Sequence, residues 1–249
     1  MTEGGPRRGS TRRGTVALWW IVLSAAAIAV VAPMPYLTDS LRHLAQDNGE
    51  IAANYAYRPL WAQVAFYLHV CFAGLALLVS PAQFVTRLRV RAPRVHRICG
   101  RIATGCIWIA GPAGLVMAPL NLAGPVGAVG FGTLAVLWTG FAVAAYRAIR
   151  RGDVASHRDW AIRAFAMTYA AVMLRLWLVV LDPLQVAIGL DADTAFQRSY
   201  LIVSFLCWVP NLLVAEGMLR RNRNRNRNRR QVSETGQPRP ADRMNHVVR

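Results

Sequence analysis

Long unbroken apolar runs alternate along this chain with short polar segments, a blockwise pattern in which whole segments, not single helix faces, are hydrophobic. Six runs stand out, at 15–36, 60–81, 98–120, 125–146, 160–181 and 199–219. Each is close to the ~20 residues that a helix needs to cross the hydrocarbon of a bilayer. Within lipid every backbone N–H and C=O must find its partner inside the chain, so runs of this length are expected to be helices. The pattern predicts an all-α fold, a polytopic bundle of six transmembrane helices. It divides the chain into a basic segment 1–14, a membrane domain 15–219 and a polar tail 220–249. Basic residues ahead of the first run would also suit a signal peptide. The apolar stretch is too long for a signal core and no small-x-small cleavage site follows it, so a retained helix is expected.

Charge then orients the bundle. Arg7, Arg8, Arg12 and Arg13 precede the first run; Arg87, Arg89, Arg91, Arg94, Arg97 and Arg101 surround the second connection; Arg147, Arg150, Arg151, Arg158 and Arg163 surround the fourth; ten more follow Leu219. The odd-numbered connections hold only Arg42, Arg58 and Arg198, together with Asp39, Asp47, Glu50, Asp182, Asp191 and Asp193. Basic residues collect on the cytoplasmic side of membrane proteins, so both termini are expected in the cytoplasm. Trp19, Trp20, Trp61 and Trp160 stand at helix starts, where amphipathic rings favour the headgroup boundary.

Composition narrows the chemistry. Hydrophobic residues make up 55% of the 249 and charged ones 16%, with a formal net charge of +17. A disordered chain is excluded over most of the length by this hydrophobicity. Four Cys without framework spacing exclude a secreted disulfide scaffold, and Cys71, Cys99, Cys106 and Cys207 read as small core residues. All 29 basic residues are Arg, which removes lysine chemistry. There is no G-x-S-x-G, H-E-x-x-H, Walker loop or carboxylate cluster, so no catalytic residue is assigned and redox remains the one enzyme class open. The tail RRNRNRNRNRR is low-complexity and polar and is expected to be disordered. It carries no aromatic residues to stack bases, which argues against specific nucleic-acid binding; the simpler reading is a solvated tail that reinforces topology, and the alternative is an electrostatic contact with anionic lipid headgroups.

Polar residues inside a bilayer are costly and rank first as candidates for function. His69 lies in the second run, followed at helical spacing by Ala73, Ala76, Ser80 and Gln83, a narrow stripe that suits a helix interface. Arg175 lies in the fifth run. At about 1.5 Å per residue the two sit roughly 13 and 9 Å below the outer ends of their helices, depths compatible with one polar pocket. The alternative for Arg175 is that it snorkels outward to Asp182, seven residues on, and for His69 that it is a structural core histidine. Glu216 precedes Arg220 by four residues, and a local pair is the simplest account of it.

At the arginine-rich end two helices begin alike, with Arg94-Val-His96-Arg97-Ile-Cys-Gly100-Arg101 and Ser156-His157-Arg158-Asp159-Trp160-Ala-Ile-Arg163. Helices two and three, and four and five, thus read as two copies of one hairpin in the same orientation. Histidine beside guanidinium groups at a helix N-terminus suits an anion, so His96, Arg97, Arg101, His157, Arg158 and Arg163 are candidate binding residues. Lipid headgroups, a soluble anion or haem propionates are the ligands considered. The structural alternative gives Ser156 and Asp159 to a capping box and the arginines to topology. No set of three or four convergent metal ligands is apparent.

These motifs resemble those of a family of predicted bacterial membrane proteins labelled DUF2306. The resemblance runs over about 55–219, through His69, Pro81-Ala-Gln83-Phe84, His96-Arg97, Gly100-Arg101, His157-Arg158-x-Trp160-x-x-Arg163, Leu174-Arg175-Leu176-Trp177 and Cys207-Trp208-Val-Pro210-Asn211-Leu-Leu-Val-Ala-Glu216. It implies a multi-pass protein of the bacterial cytoplasmic membrane and supplies no activity. The reading carried forward is a membrane protein that binds or transports a small ligand or lipid. Two alternatives stand beside it: a haem b redox protein with His96 and His157 as axial ligands, and a non-catalytic membrane scaffold or sensor.

Overall fold

The computed structural model describes residues 12–47 and 50–235, and side chains within 15–228 of these. The basic segment 1–11 and the tail from Gly236 lie outside the described residues. Helices in chain order are α1 (Arg12–Val31), α2 (Met34–Thr38), α3 (Leu41–Gln46), α4 (Glu50–Ala56), α5 (Leu60–Val79), α6 (Thr86–Arg91), α7 (Pro93–Met117), α8 (Gly124–Arg150), α9 (Val154–Thr168), α10 (Ala170–Ala187), α11 (Ala192–Leu206) and α12 (Val209–Thr235). Two 3₁₀ turns, Ser80–Phe84 and Ala118–Leu120, complete the connections, and no strand occurs among the described residues.

Six stretches are long and apolar enough to cross a membrane: Thr15–Thr38, Leu60–Phe84, Pro93–Leu120, Gly124–Arg150, Val154–Ala187 and Ala192–Asn228. The all-α, six-span fold expected from the apolar runs is therefore present, with spans that reach past the runs at their polar ends. Outward faces stay apolar and exposed, as at Leu23, Val64, Val129, Val136, Val179 and Leu213. In water such a surface would be a liability; against acyl chains it is the natural exterior.

Inside, small residues decide the packing. The principal core gathers Ala76, Cys106, Ile107, Ala110, Trp138, Ala142, Ala166, Met167, Ala170, Cys207, Trp208 and Ala215. Where lipid removes the hydrophobic drive between helices, close backbone approach supplies the contact energy, and alanine permits it. Gly130 is the limiting case: a Cβ there would lie 2.8 Å from the Ser204 carbonyl oxygen, so only hydrogen lets α8 meet α11 this closely. The stripe below His69 does face inward, with Ala76 and Ser80 buried and the Gln83 side chain donating to the His96 carbonyl at 3.1 Å.

Spans five and six are each made of two helices. Between α9 and α10, Thr168 donates to the Ala164 carbonyl and accepts from Trp138 Nε1 at 2.9 Å, a back-bonded threonine that bends its helix. Between α11 and α12, Pro210 has no N–H to offer the Leu206 carbonyl, and the Trp208 amide bonds the Phe205 carbonyl at 3.2 Å, which leaves the Ser204 carbonyl to accept from the Trp208 indole at 2.9 Å. α10 packs along α11, while α9 packs along α12.

Two features depart from the sequence expectations. The first connection carries helices that the apolar runs do not mark: α3 and α4 fold over the acid-bearing end, where Leu41, Ala52, Tyr55, Ala56 and Phe66 form a separate core. Asn54 Nδ2 ties this cap to the Leu120 carbonyl at 2.7 Å. The polar repeat after Leu219, expected to be disordered, continues α12 as helix to Thr235. Arg is a good helix former, the Asn-Arg repeat contains no breaker before Gly236, and a helix already nucleated in the bundle extends at little cost. Arg223 also ties it to Asp159 of α9 at 2.8 Å.

Candidate functional site

Arg175 projects from α10 into the bundle. Its Nη1 donates to the Ala171 carbonyl at 3.0 Å, four residues earlier, so the side chain runs back along its helix and away from Asp182. The outward snorkel considered from sequence is thereby replaced. Among the described residues no carboxylate lies within ion-pair distance of its guanidinium. Tyr36, His69, Tyr200 and Cys207 lie within its electrostatic range, which brings the first, second, fifth and sixth spans to one place. His69 and Arg175 thus lie within electrostatic range of one another.

The second member is held firmly. His69 Nδ1 donates to the Ala110 carbonyl of α7 at 2.8 Å, and the ring stands edge to face with Trp138 at 6.3 Å between centroids. Gly114 makes the seat: a Cβ there would come within 2.8 Å of Nδ1 and 3.0 Å of Cε1. With its proton on Nδ1, the neutral ring carries its lone pair on Nε2. Among the described residues Nε2 has no hydrogen-bond partner, nor do the Tyr36 and Tyr200 hydroxyls or Arg175 Nη2, and none of these atoms is sealed by its neighbours. His69, Arg175 and Tyr200 are each half-buried, so part of each side chain stays accessible.

Aromatic rings pack together beneath the cap. Tyr55 stacks on Phe66 at 4.8 Å, and Tyr36 meets the same ring edge-on at 4.9 Å. Burial pushes the Tyr55 phenol up to about 12, against the pull of Arg58, so it remains a neutral hydroxyl near Tyr200. At the rim, burial raises the Glu50 carboxyl above its ordinary range, and the like charges of Asp193 and Asp182 raise it further.

At the arginine-rich end the structure regroups the predicted residues. Arg163, 9% exposed, does not wait for a ligand: its Nε and Nη2 grip Glu216 at 2.5 and 3.0 Å, and its guanidinium lies 4.6 Å above the Trp160 ring. The Glu216–Arg220 pair expected from spacing gives way to this bond between spans. Asp153, not Ser156 with Asp159, caps α9, its carboxylate accepting from the Ser156 amide at 2.9 Å. The Ser156 hydroxyl first, and this amide second, hold the Asp153 carboxyl below its ordinary range. His157 donates through Nδ1 to the Ala145 carbonyl at 2.9 Å, and lies within electrostatic range of His96. Nδ1 of His96 is sealed without a partner. A haem-ligating histidine ordinarily donates that nitrogen to a carbonyl or carboxylate, so His157 fits the role and His96 does not. Arg97 Nε turns back to the Pro93 carbonyl at 3.3 Å, and neither Arg101 nor Arg158 pairs with a carboxylate among the described residues.

Residues 66–219 match the model of a family described as a predicted membrane protein (DUF2306). The chain belongs to the DUF2306 family. No curated protein and no solved structure matches it. In this DUF2306 protein His69, His96, His157, Arg163, Arg175, Tyr200 and Glu216 fall inside the matched region, whereas Tyr36, Tyr55 and the cap precede it. The tyrosines are what sequence reading missed. Tyr200 stands in an apolar run where an aromatic residue is unremarkable, and Tyr55 in the first connection; only packing brings Tyr36 and Tyr200 within range of Arg175, and Tyr55 within range of Tyr200. Among the described residues no group of three or more His, Cys, Asp or Glu is placed to hold a metal ion.

Proposed function

We propose that this DUF2306 protein binds a small anionic ligand inside its membrane domain, between His69 and Arg175. The observation that carries this reading is the guanidinium of Arg175, turned into the bundle with no carboxylate partner among the described residues. An arginine at membrane depth costs about 2.5–3.5 kcal/mol even on the mildest scales. A ligand carboxylate or phosphate offsets that cost with a bidentate, charge-assisted contact. Phenolic hydroxyls at Tyr36 and Tyr200 add donors, which an anion uses and a cation does not. The cap of α3 and α4 over the acid-bearing end gives the site a roof that a ligand must pass.

The setting we propose is a bacterial cytoplasmic membrane with both termini in the cytoplasm, supported by the arginine distribution. A C-terminal green fluorescent protein fusion should then fluoresce, and a periplasmic phosphatase fusion at the same point should be inactive.

Thermal unfolding of the detergent-purified protein, with sodium acetate, benzoate or phosphate against sodium chloride, tests the ligand reading. Binding to the native state stabilises it by RT ln(1 + [L]/Kd), so at least one organic or phosphate anion should raise the midpoint at millimolar concentration. Arg175→Gln should abolish that rise while remaining monodisperse. Absence of any anion-specific rise in the wild type, or an equal rise in Arg175→Gln, ends the reading.

A further inference from the structure

We infer that the ligand is a hydroxycarboxylate: its carboxylate pairs with Arg175, and its hydroxyl donates to Nε2 of His69. This rests on the anion site at Arg175 and goes further in naming what the other half of the site selects. The Ala110 carbonyl can only accept, so His69 Nδ1 carries the proton of that bond and Nε2 keeps a lone pair. Gly114 leaves no latitude on the α7 side of the ring, where an added methyl would already meet Nδ1 and Cε1, so the tautomer and the ring position are fixed together. Nε2 is therefore an acceptor without a partner among the described residues, within electrostatic range of an arginine whose remaining N–H groups only donate.

A plain carboxylate satisfies the second group and fails the first. Its oxygens are acceptors and would leave the Nε2 lone pair facing another lone pair. A ligand that presents a negative group and an O–H donor completes both. Charge sums in the same direction: Arg175 already contributes one positive charge at depth, and a monoanion with a neutral hydroxyl brings the site to neutrality, whereas a proton added to His69 would place a second cation there. The aromatic walls from Tyr36, Tyr55, Phe66 and Trp138 suit a compact or planar carbon body between the two polar ends.

The experiment is a set of dissociation constants by calorimetry on the full chain in detergent. Three matched pairs of probes are used: lactate and propionate, 3-hydroxybutyrate and butyrate, 4-hydroxybenzoate and benzoate. They vary the hydroxyl–carboxylate separation from adjacent carbons to opposite ends of a ring. Leaving a buried acceptor unpaired weakens binding by roughly 10- to 100-fold, so at least one hydroxy acid should bind tighter than its partner by that factor. His69→Phe should bring the ratio to about one. Gly114→Ala keeps the imidazole but displaces it, and should lower the same ratio without touching Arg175. Arg175→Gln should abolish both members of the pair. A ratio near one in the wild type for all three pairs, with binding still dependent on Arg175, overturns the hydroxyl inference and leaves the anion site standing. Carboxylate binding indifferent to Arg175, or none at all, overturns the anion site and this inference with it.

Discussion

The Arg163–Glu216 pair offers the sharpest energetic prediction, because its two members are unequally buried. The side chain of Arg163 is 11% exposed and that of Glu216 is 32% exposed. Glu216→Ala strands a guanidinium among apolar neighbours over Trp160, and removing one partner of a buried pair costs about 3–5 kcal/mol. Glu216 faces the polar boundary, so the low end applies and about 3 kcal/mol is expected. The reverse change is milder. Arg163→Met keeps most of the stem packing, and the carboxylate left behind is reachable by water and lies within range of Arg220 and Arg223. About 1–2 kcal/mol is expected for it, the cost of a lost charge-assisted bond at a partly wet site. Unfolding in mixed micelles against rising denaturing detergent measures both, and the double variant closes a cycle with a coupling of roughly 1–3 kcal/mol. Arg220→Ala serves as the control and should leave stability nearly unchanged. If Arg163→Met costs as much as Glu216→Ala, or if Arg220→Ala costs as much as either, the inter-span pair is not what holds α9 to α12.

Gly130→Ala places a methyl against the Ser204 backbone and should destabilise by roughly 1–3 kcal/mol, whereas Gly217→Ala, with nothing within 4 Å of the added carbon, should be neutral or mildly stabilising in the same unfolding assay. The raised Glu50 carboxyl is better tolerated protonated, so for this group stability grows as pH falls through its folded pKa towards its unfolded one. Glu50→Gln should accordingly slow proteolysis of the 39–59 cap at neutral pH, and the difference from wild type should vanish in acid. The opposite sign holds at Asp153: its lowered carboxyl contributes above the ordinary carboxylate range and is lost as pH falls through the folded value. Asp153→Ala should speed amide exchange in the first turn of α9 at neutral pH, with later turns unaffected.

The spans were legible because lipid leaves the backbone no alternative, and a run such as 125–146 has no other economical conformation. His69 and Arg175 were legible for the same reason, since polar groups at depth are conspicuous. What escaped was pairing. Glu216 has Arg220 four residues away and Arg163 fifty-three residues away; local spacing favours the first and packing chooses the second. The cap was illegible because its helices are too short to carry a periodic signal, being held by Tyr55 and Ala52 against α5 and by Asn54 against Leu120. The helical start of the Asn-Arg tail was missed through treating low complexity as equivalent to disorder, when arginine's helix propensity and a nucleated α12 point the other way. At the arginine-rich end the two similar motifs diverge in use: Arg163 is occupied by Glu216, whereas the first motif makes no such pair among the described residues.

The interruptions at Tyr169 and at Cys207–Trp208 have a mechanical consequence. Spans five and six behave less as two struts than as two stacked couples. One couple, α9 with α12, is riveted by Arg163 to Glu216 and by Asn211 to the Ala166 carbonyl. The other, α10 with α11, is stitched by Gln185 to Ser199 at 2.6 Å. Arg175 and Tyr200 both ride on the second. Both joints therefore separate the couple that carries these polar tips from the riveted one.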